Sequence, residues 1–249
     1  MNSLKSIPVY VISVKTFVDR HKHMANLEKR LGIKFEYIWA YDADDLTDED
    51  YARVDNSMAP KSVSNVLKHL DAQRRFLDSN ASICMVLEDD VLLFDSFEDD
   101  LAKVLRLTQE LAPGWLVFLG GADNKIDNRF LGQGDRLIEQ YLSTAEAYIL
   151  DRLGCERRME WLEAHKIDRQ ADHQIKMIDI DLNIKHYWFS RPLVTQGSIT
   201  GVFKTALDAS RSKRSANYLR VRFWWNRFRR QVVPKLWFRF KRFLTGTST

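Results

Sequence analysis

Short, continuous apolar runs alternate along this chain with longer segments whose apolar residues recur at helical spacing. Val9–Val14 and Phe35–Trp39 have strand length, and the spacing predicts a helix between them from about Asp19 to Leu31. Asp19 is a natural N-cap for that helix, and Gly32 a natural C-terminal stop. This strand–helix–strand order predicts parallel pairing with a right-handed crossover. Lys61–Ser79 follows as a helix, with Val63, Val66, Leu67 and Leu70 at mostly helical spacing. Ile83–Leu87 is then five apolar residues in succession, the composition of a strand covered on both faces. Ser96–Leu111 is amphipathic through Phe97, Leu101, Val104, Leu105 and Leu111, and Pro113-Gly114 ends it. Trp115–Leu119, Ala145–Leu150 and Ile184–Phe189 read as further strands, with a helix over Arg152–His165. The pattern predicts an α/β fold, a mostly parallel sheet flanked by helices.

The polar interruption after Ile83–Leu87 carries the chemistry. Glu88-Asp89-Asp90 places three mutually repelling carboxylates at the end of a core strand, an arrangement seldom made for stability alone. A divalent cation removes the conflict, and Mn²⁺ or Mg²⁺ would also bind a diphosphate. In open α/β sheets, ligands bind beyond the carboxyl ends of the strands. The structural alternative is a solvated acidic turn capping the helix that starts near Asp95. Glu88 and Asp90 project to the same side of an extended backbone. Asp90 is therefore the expected metal ligand, and Glu88 the partner of a nucleotide ribose or a metal-bound water. Asp89 is left to face away or to support them. Asp42-Ala43-Asp44 and Asp179-Ile180-Asp181 are competing acidic patterns, and His173 or His186 a possible third ligand. Asp42 ends the second strand near the same crevice and is a candidate nucleotide contact. Arg20 either faces a phosphate or a uracil or is an exposed helix arginine. Gly120-Gly121, ending a strand, permits close approach to a ligand.

Several of these stations, in this order, resemble glycosyltransferase family 25, the lipooligosaccharide-type glycosyltransferases. The matching pieces are VYVISVKTFVDR, FEYIWAYDADD, SNVLKHLDAQRRFL, ICMVLEDDVLLFDSFEDDL, WLVFLG, STAEAYILDRLGCERRM, ADHQIK and RPLVTQGS, over about residues 5–200. The resemblance implies a GT-A-like fold, a nucleotide-sugar donor such as a UDP-hexose, and usually a galactose-type sugar. It also implies inverting transfer onto a lipid-linked oligosaccharide of the bacterial surface, a lipopolysaccharide or lipooligosaccharide precursor. By the same resemblance Asp172, late in the chain, is the candidate base, with Glu146 the alternative. Helix N-capping is the structural reading of Asp172. Ser64 and His69 stand apart here, with Lys68 directly before His69, which departs from the family pattern and leaves His69 without an expected catalytic role.

Charge divides the chain in two. Residues 1–208 hold 26 Lys and Arg against 34 Asp and Glu, a balance of −8, whereas residues 209–249 hold 12 Lys and Arg and no acid. The boundary is expected near residue 205, with a GT-A-like domain before it and a tail over 206–249. In that tail Val221, Trp225, Phe228 and Val232 recur at helical spacing, as do Leu236, Phe240 and Phe243, and Pro234 should divide the two helices. Such basic, aromatic, amphipathic helices suit an anionic membrane surface. A helix packed on the domain is the structural alternative. Basic-aromatic composition also suits nucleic acid, but the folded part carries no nucleic-acid motif, and none is expected as partner. A fold-retaining binder of nucleotide or saccharide is the non-catalytic alternative. Two distant cysteines, Cys84 and Cys155, suggest a reducing compartment. The expected location is cytoplasmic, peripheral on the inner face of the cell membrane.

Overall fold

In the computed structural model the described residues are 4–55, 57–131, 134–205 and 213–245. Five strands of a seven-stranded sheet run in one direction: β1 (Val9–Ile12), β2 (Glu36–Ile38), β3 (Ile83–Glu88), β5 (Trp115–Phe118) and β8 (Lys185–Phe189). β6 (Leu137–Glu139) and β7 (Ala147–Asp151) are reversed, in the order β2-β1-β3-β7-β5-β8-β6. β4 (Val91–Leu93) and β9 (Val194–Gln196) form a separate antiparallel ribbon. The helices are α1 (Val18–Leu31), α2 (Asp48–Ala52), α3 (Pro60–Asp78), α4 (Phe97–Leu107), α5 (Arg152–Ala164), α6 (Ala171–Asp181), α7 (Gly197–Thr200), α8 (Ala216–Arg227) and α9 (Val233–Thr245). This is the mostly parallel, helix-flanked α/β architecture that the pattern predicts, and it is consistent with the GT-A-like fold that the resemblance implies.

Period-two side-chain alternation explains why the central strands read as continuous apolar runs. Val9, Val11, Met85, Leu87, Val117 and Ile149 pack one face of the sheet against α1 and α4, through Met24, Leu27, Phe97, Leu101 and Val104. Tyr10, Ile12, Cys84, Val86, Leu116, Phe118 and Leu150 pack the other against α3, α5 and α6, through Phe76, Cys155 and Ile175. Both faces are covered, so neither can be polar. Cys84 and Cys155 are buried free thiols in this second layer.

Two local expectations change. α1 begins at Val18, with Phe17 as its N-cap and no side-chain cap bond. Asp19 therefore lies inside the first turn, where its charge complements the helix dipole instead of capping. α4 stops at Leu107 and tightens into a 3₁₀ turn through Glu110. Gly32 closes α1 in the left-handed conformation, as its position predicts.

Register brings the strand ends together. Ile12 pairs with Ile38 on one side and with Glu88 on the other, so β2, β1 and β3 end side by side. β7 arrives from the opposite direction, and the Glu88 N–H donates to the Glu146 carbonyl at 2.9 Å. The β4–β9 ribbon folds over the same edge, where the Gly197 N–H donates to the Asp90 carbonyl at 2.7 Å.

The basic C-terminal segment packs on this body. Leu219 and Phe223 of α8 are buried. α8 starts against Gly201, where a Cβ would lie 2.5 Å from the Ala216 carbonyl oxygen, so glycine permits the approach. A π-helical turn, Phe228–Val232, separates α8 from α9, and Pro234 falls just inside α9. The division predicted at Pro234 is thus taken up by a widened turn before it.

Asp100 at the start of α4 is buried and receives two hydrogen bonds from the Arg191 guanidinium, at 2.7 and 2.8 Å. Those bonds hold its carboxyl down, from 3.8 to about 2. Because the folded value is depressed, the stabilisation is complete above the ordinary carboxylate range and is lost as pH falls toward 2. Asp100→Asn should lower the free energy of urea unfolding by about 1–2 kcal/mol at pH 7, allowing for the half-exposed arginine. The difference from wild type should disappear near pH 2.

Candidate functional site

A cavity of about 440 Å³ opens at the ends of β1, β2 and β3. Its walls are residues 12–17, Arg20, residues 42–45, part of α3 including Asn65 and Lys68, Glu88-Asp89-Asp90, Gln196 and Ser198. A smaller cavity of about 140 Å³ adjoins it, lined by Ser62, residues 144–146, residues 170–172 and the same Asn65, Glu88 and Gln196. Those three shared side chains form the divide between the two.

The acidic triplet is held in three different ways. Asp89 accepts from the Ser13 hydroxyl at 2.7 Å and from the Arg20 guanidinium. Arg20 also donates to the Lys204 carbonyl at 2.7 Å and lies against the Phe17 and Phe203 rings. It is thus committed to the cluster and little exposed. Glu88 accepts from the Gln196 amide at 2.7 Å and lies 3.6 Å from the His69 imidazole. Burial pushes its carboxyl up, but the His69, Asn65 and Arg20 contacts prevail and hold it below the ordinary value. Asp90 is 1% exposed; its Oδ2 accepts from the Ser198 N–H at 3.0 Å and lies 3.7 Å from Arg20. Its Oδ1 has no hydrogen-bond partner among the described residues. Burial, partly offset by Arg20 and reinforced by Glu88 and Asp89, raises the Asp90 carboxyl to about 6. A buried carboxylate oxygen without a donor is a position where a cation would relieve both desolvation and repulsion. Among the described residues no group of three or more His, Cys, Asp or Glu side chains is arranged to hold a metal. An ion here would therefore rest on one or two carboxylates with substrate oxygens and water, the usual manner of Mg²⁺.

Asp42 closes the far wall. It pairs with the buried Lys68 ammonium at 2.7 Å and accepts the Lys15 N–H at 3.1 Å. Lys68 also donates to the Ile38 and Ala40 carbonyls, and burial lowers its pKa. Glu146 forms the back of the smaller cavity, where burial raises its carboxyl to about 7 against the pull of the Gly121 N–H at 2.7 Å. Asp172 stands at the rim of this cavity, with Oδ1 accepting the adjacent His173 N–H. Gln170, not Asp172, is the N-cap residue of α6.

Other candidates lie elsewhere. Gly120 lines neither cavity: the space beside its Cα is filled by the Glu146 carboxyl, 2.0 Å from where a Cβ would sit. Its lack of a side chain seats Glu146 and brings no ligand close to the backbone. Asp179 is buried in an ion pair with Arg158 at 2.7 Å and accepts from His186. Asp179 and His186 are thereby committed to the core under α5 and α6, whereas Ile180 and Asp181 are exposed. His69 is fully buried and spans Glu88 and the Tyr148 hydroxyl, a supporting position. Asn65, Lys68, Gln196 and Ser198 received no role from the sequence, because common polar residues become informative only once the fold gathers them.

Residues 6–119 match the model of glycosyltransferase family 25, described as an LPS biosynthesis protein. Residues 6–119 are a glycosyltransferase family 25 sequence. The family 25 segment runs from just before β1 to just after β5 and contains the whole acidic triplet, Arg20, Asp42 and Lys68. No curated protein matches the chain. The solved structure of the inositol-1-phosphate CTP transferase from T. maritima is similar over 88% of this chain and 78% of that one. At 10% identity and a TM-score of 0.37, that likeness carries no argument. The match over residues 6–119 supports a glycosyltransferase of the lipopolysaccharide-biosynthesis type, a class that uses a nucleotide-sugar donor and a saccharide acceptor.

Gly120→Ala tests the packing at the smaller cavity. The new methyl must displace a buried carboxyl, so urea unfolding should show a loss of about 1–3 kcal/mol, the usual cost of overpacking. A substitution without effect on stability would show that Glu146 is not held where the geometry puts it.

Proposed function

We propose that the chain transfers a hexose, galactose first among them, from a UDP-sugar to a saccharide of lipopolysaccharide or lipooligosaccharide, with inversion. The observation that carries this reading is the pair of adjoining cavities divided by Glu88, Asn65 and Gln196. The larger takes the donor and the smaller the acceptor. Within the donor cavity, Asp42 and the loop after β2 face the nucleoside, while Lys15 and Lys61 offer positive charge to the diphosphate. Asp90, with Glu88 beside it, would hold Mn²⁺ or Mg²⁺. Such an ion supplies charge to the departing diphosphate. Asp89 and Arg20 support this centre from behind.

Inverting transfer is a single displacement. An acceptor hydroxyl oxygen bonds to the anomeric carbon while the bond from that carbon to the diphosphate oxygen breaks, and its electron pair leaves with the nucleoside diphosphate. The hydroxyl proton must go to a positioned carboxylate. Asp172 is better placed than Glu146 for this, because it is reachable at the rim, its Oδ2 having only the His173 ring at 4.0 Å beside it among the described residues. Burial keeps much of Glu146 protonated near neutrality, so it suits donating a hydrogen bond to the acceptor. Asp172→Asn should lower transfer about 10²-fold or more, the scale for losing a general base, with donor affinity unchanged. Asp90→Asn should abolish Mn²⁺-dependent turnover while leaving the melting temperature close to wild type. A mass-detected screen of UDP-hexoses decides this: undiminished turnover in excess chelator would remove the metal from the account.

The reading includes the location on an anionic membrane, at the cytoplasmic face. Among the described residues no helix is long and apolar enough to cross a membrane. α8 and α9 nevertheless turn Trp224, Trp225, Phe228, Leu236, Trp237, Phe240 and Phe243 outward, with Phe243 84% exposed. Lys and Arg lie between them, and together they suit an anionic interface, each charge contributing about 1 kcal/mol. Because α8 also buries Leu219 and Phe223 against the body, deletion of the segment would damage the fold. The cleaner test is Trp224, Trp237, Phe240 and Phe243 all changed to Ser in the full chain. Flotation with anionic liposomes should fall at least tenfold, while turnover of a soluble acceptor stays near wild type. Undiminished flotation would remove the aromatic stripe as anchor.

A further inference from the structure

The π-helical turn between α8 and α9 enters the body at one point, and that point lies behind the smaller cavity. Gln231 is 5% exposed, and its Nε2 donates to the Gly121 and Asn124 carbonyls at 3.0 Å each. The Arg230 guanidinium donates to the Asp123 carbonyl at 3.0 Å, and the Ile126 N–H donates to the Arg230 carbonyl at 3.1 Å. That carbonyl is open to Ile126 because Pro234, four residues later, has no N–H to offer it. The turn so gripped is closed by its own bond from the Asn124 N–H to the Gly121 carbonyl, at 3.0 Å. On its other side the Gly121 N–H reaches the Glu146 carboxyl at 2.7 Å. A continuous set of hydrogen bonds therefore runs from the C-terminal segment, through one partly buried turn, to the wall of the cavity.

We infer that Gln231 is a positioning residue for the acceptor cavity: it fixes the Gly121–Asn124 turn and, through the Gly121 N–H, the carboxyl of Glu146. The inference rests on the assignment of the smaller cavity to the acceptor. The chemistry that Gln231 supplies is specific. A single amide group satisfies one buried and one partly buried carbonyl, and an apolar or acidic side chain cannot replace it. The basic segment then completes the catalytic body, in addition to any surface it engages.

Gln231→Met keeps the length and removes the donor. Three measurements on the full chain decide the matter: amide exchange at Gly121, donor KM for UDP-galactose, and acceptor KM for de-acylated lipopolysaccharide core. Gly121 exchange should quicken at least tenfold, as expected when a buried bonding set is broken. Acceptor KM should rise about tenfold while donor KM stays unchanged. Arg230→Met should act in the same direction and more weakly. Glu146→Gln alone should raise acceptor KM, and adding Gln231→Met to it should raise it no further, because both act through one group. Unchanged Gly121 exchange in Gln231→Met, or a full additional rise in the double variant, overturns the inference. Unchanged acceptor KM in Glu146→Gln instead overturns the acceptor assignment beneath it.

Discussion

Three adjacent carboxylates at the end of a strand buried on both faces are the constraint around which this protein is built. In a low-dielectric setting their mutual repulsion must be answered by counter-charge, by hydrogen bonds or by protonation. Counter-charge answers Asp89 and hydrogen bonds answer Glu88, while Asp90 is only partly answered. Arg20 pairs with Asp89, donors from Gln196 and Asn65 reach Glu88 with the His69 ring 3.6 Å away, and Asp90 is left with a raised pKa and an open oxygen. These answers tie distant parts of the chain to the triplet. Arg20 comes from α1, His69 and Asn65 from α3, Gln196 from the end of β9 and Ser198 from α7. Arg20 also holds the Lys204 carbonyl, so the chain beyond α7 is drawn to the same place.

The sheet supplies the second half of the arrangement. Parallel β1, β2 and β3 end in register, which places three loops on one edge and leaves a crevice there. The reversed β7 brings Glu146 to that edge from below, so one antiparallel strand inside a parallel sheet adds a carboxyl that a wholly parallel sheet would leave at the other end. Gly120, at the end of β5, makes room for it. Two adjoining cavities sharing one wall are the geometric consequence. The family 25 match over residues 6–119 covers the carboxylate-bearing half of that geometry.

Much of this was legible in the residues, for identifiable reasons. Continuous apolar runs such as Ile83–Leu87 announce strands covered on both sides, and Glu88-Asp89-Asp90 stands out because charge there needs an answer. Asp19 does not cap α1 because the preceding turn, closed by the Phe17 N–H to the Val14 carbonyl, moves the cap two residues earlier, to Phe17. Gly120 was expected to admit a ligand backbone, whereas the group it admits is a side chain 26 positions later, an encounter that only the tertiary fold creates. His186 and Asp179 carry the right atoms for a metal, but Arg158 neutralises them in the core, and sequence spacing gives no sign of that pairing. The basic segment showed its exposed stripe plainly. Its inward grip through Gln231 was hidden, because one glutamine in an Arg-rich helix has no distinguishing pattern.

The central claim is that the edge formed by β1, β2 and β3 binds the nucleotide part of the donor. Titration of UDP and Mn²⁺ into ¹⁵N-labelled protein, followed by amide shifts, tests it without any knowledge of sugar or acceptor. The account predicts shifts concentrated at Ser13–Arg20, Asp42–Asp45, Glu88–Asp90 and Ser198, with little change along α8 and α9. Shifts confined to the basic C-terminal helices, or no saturable shifts at millimolar nucleotide, would contradict it.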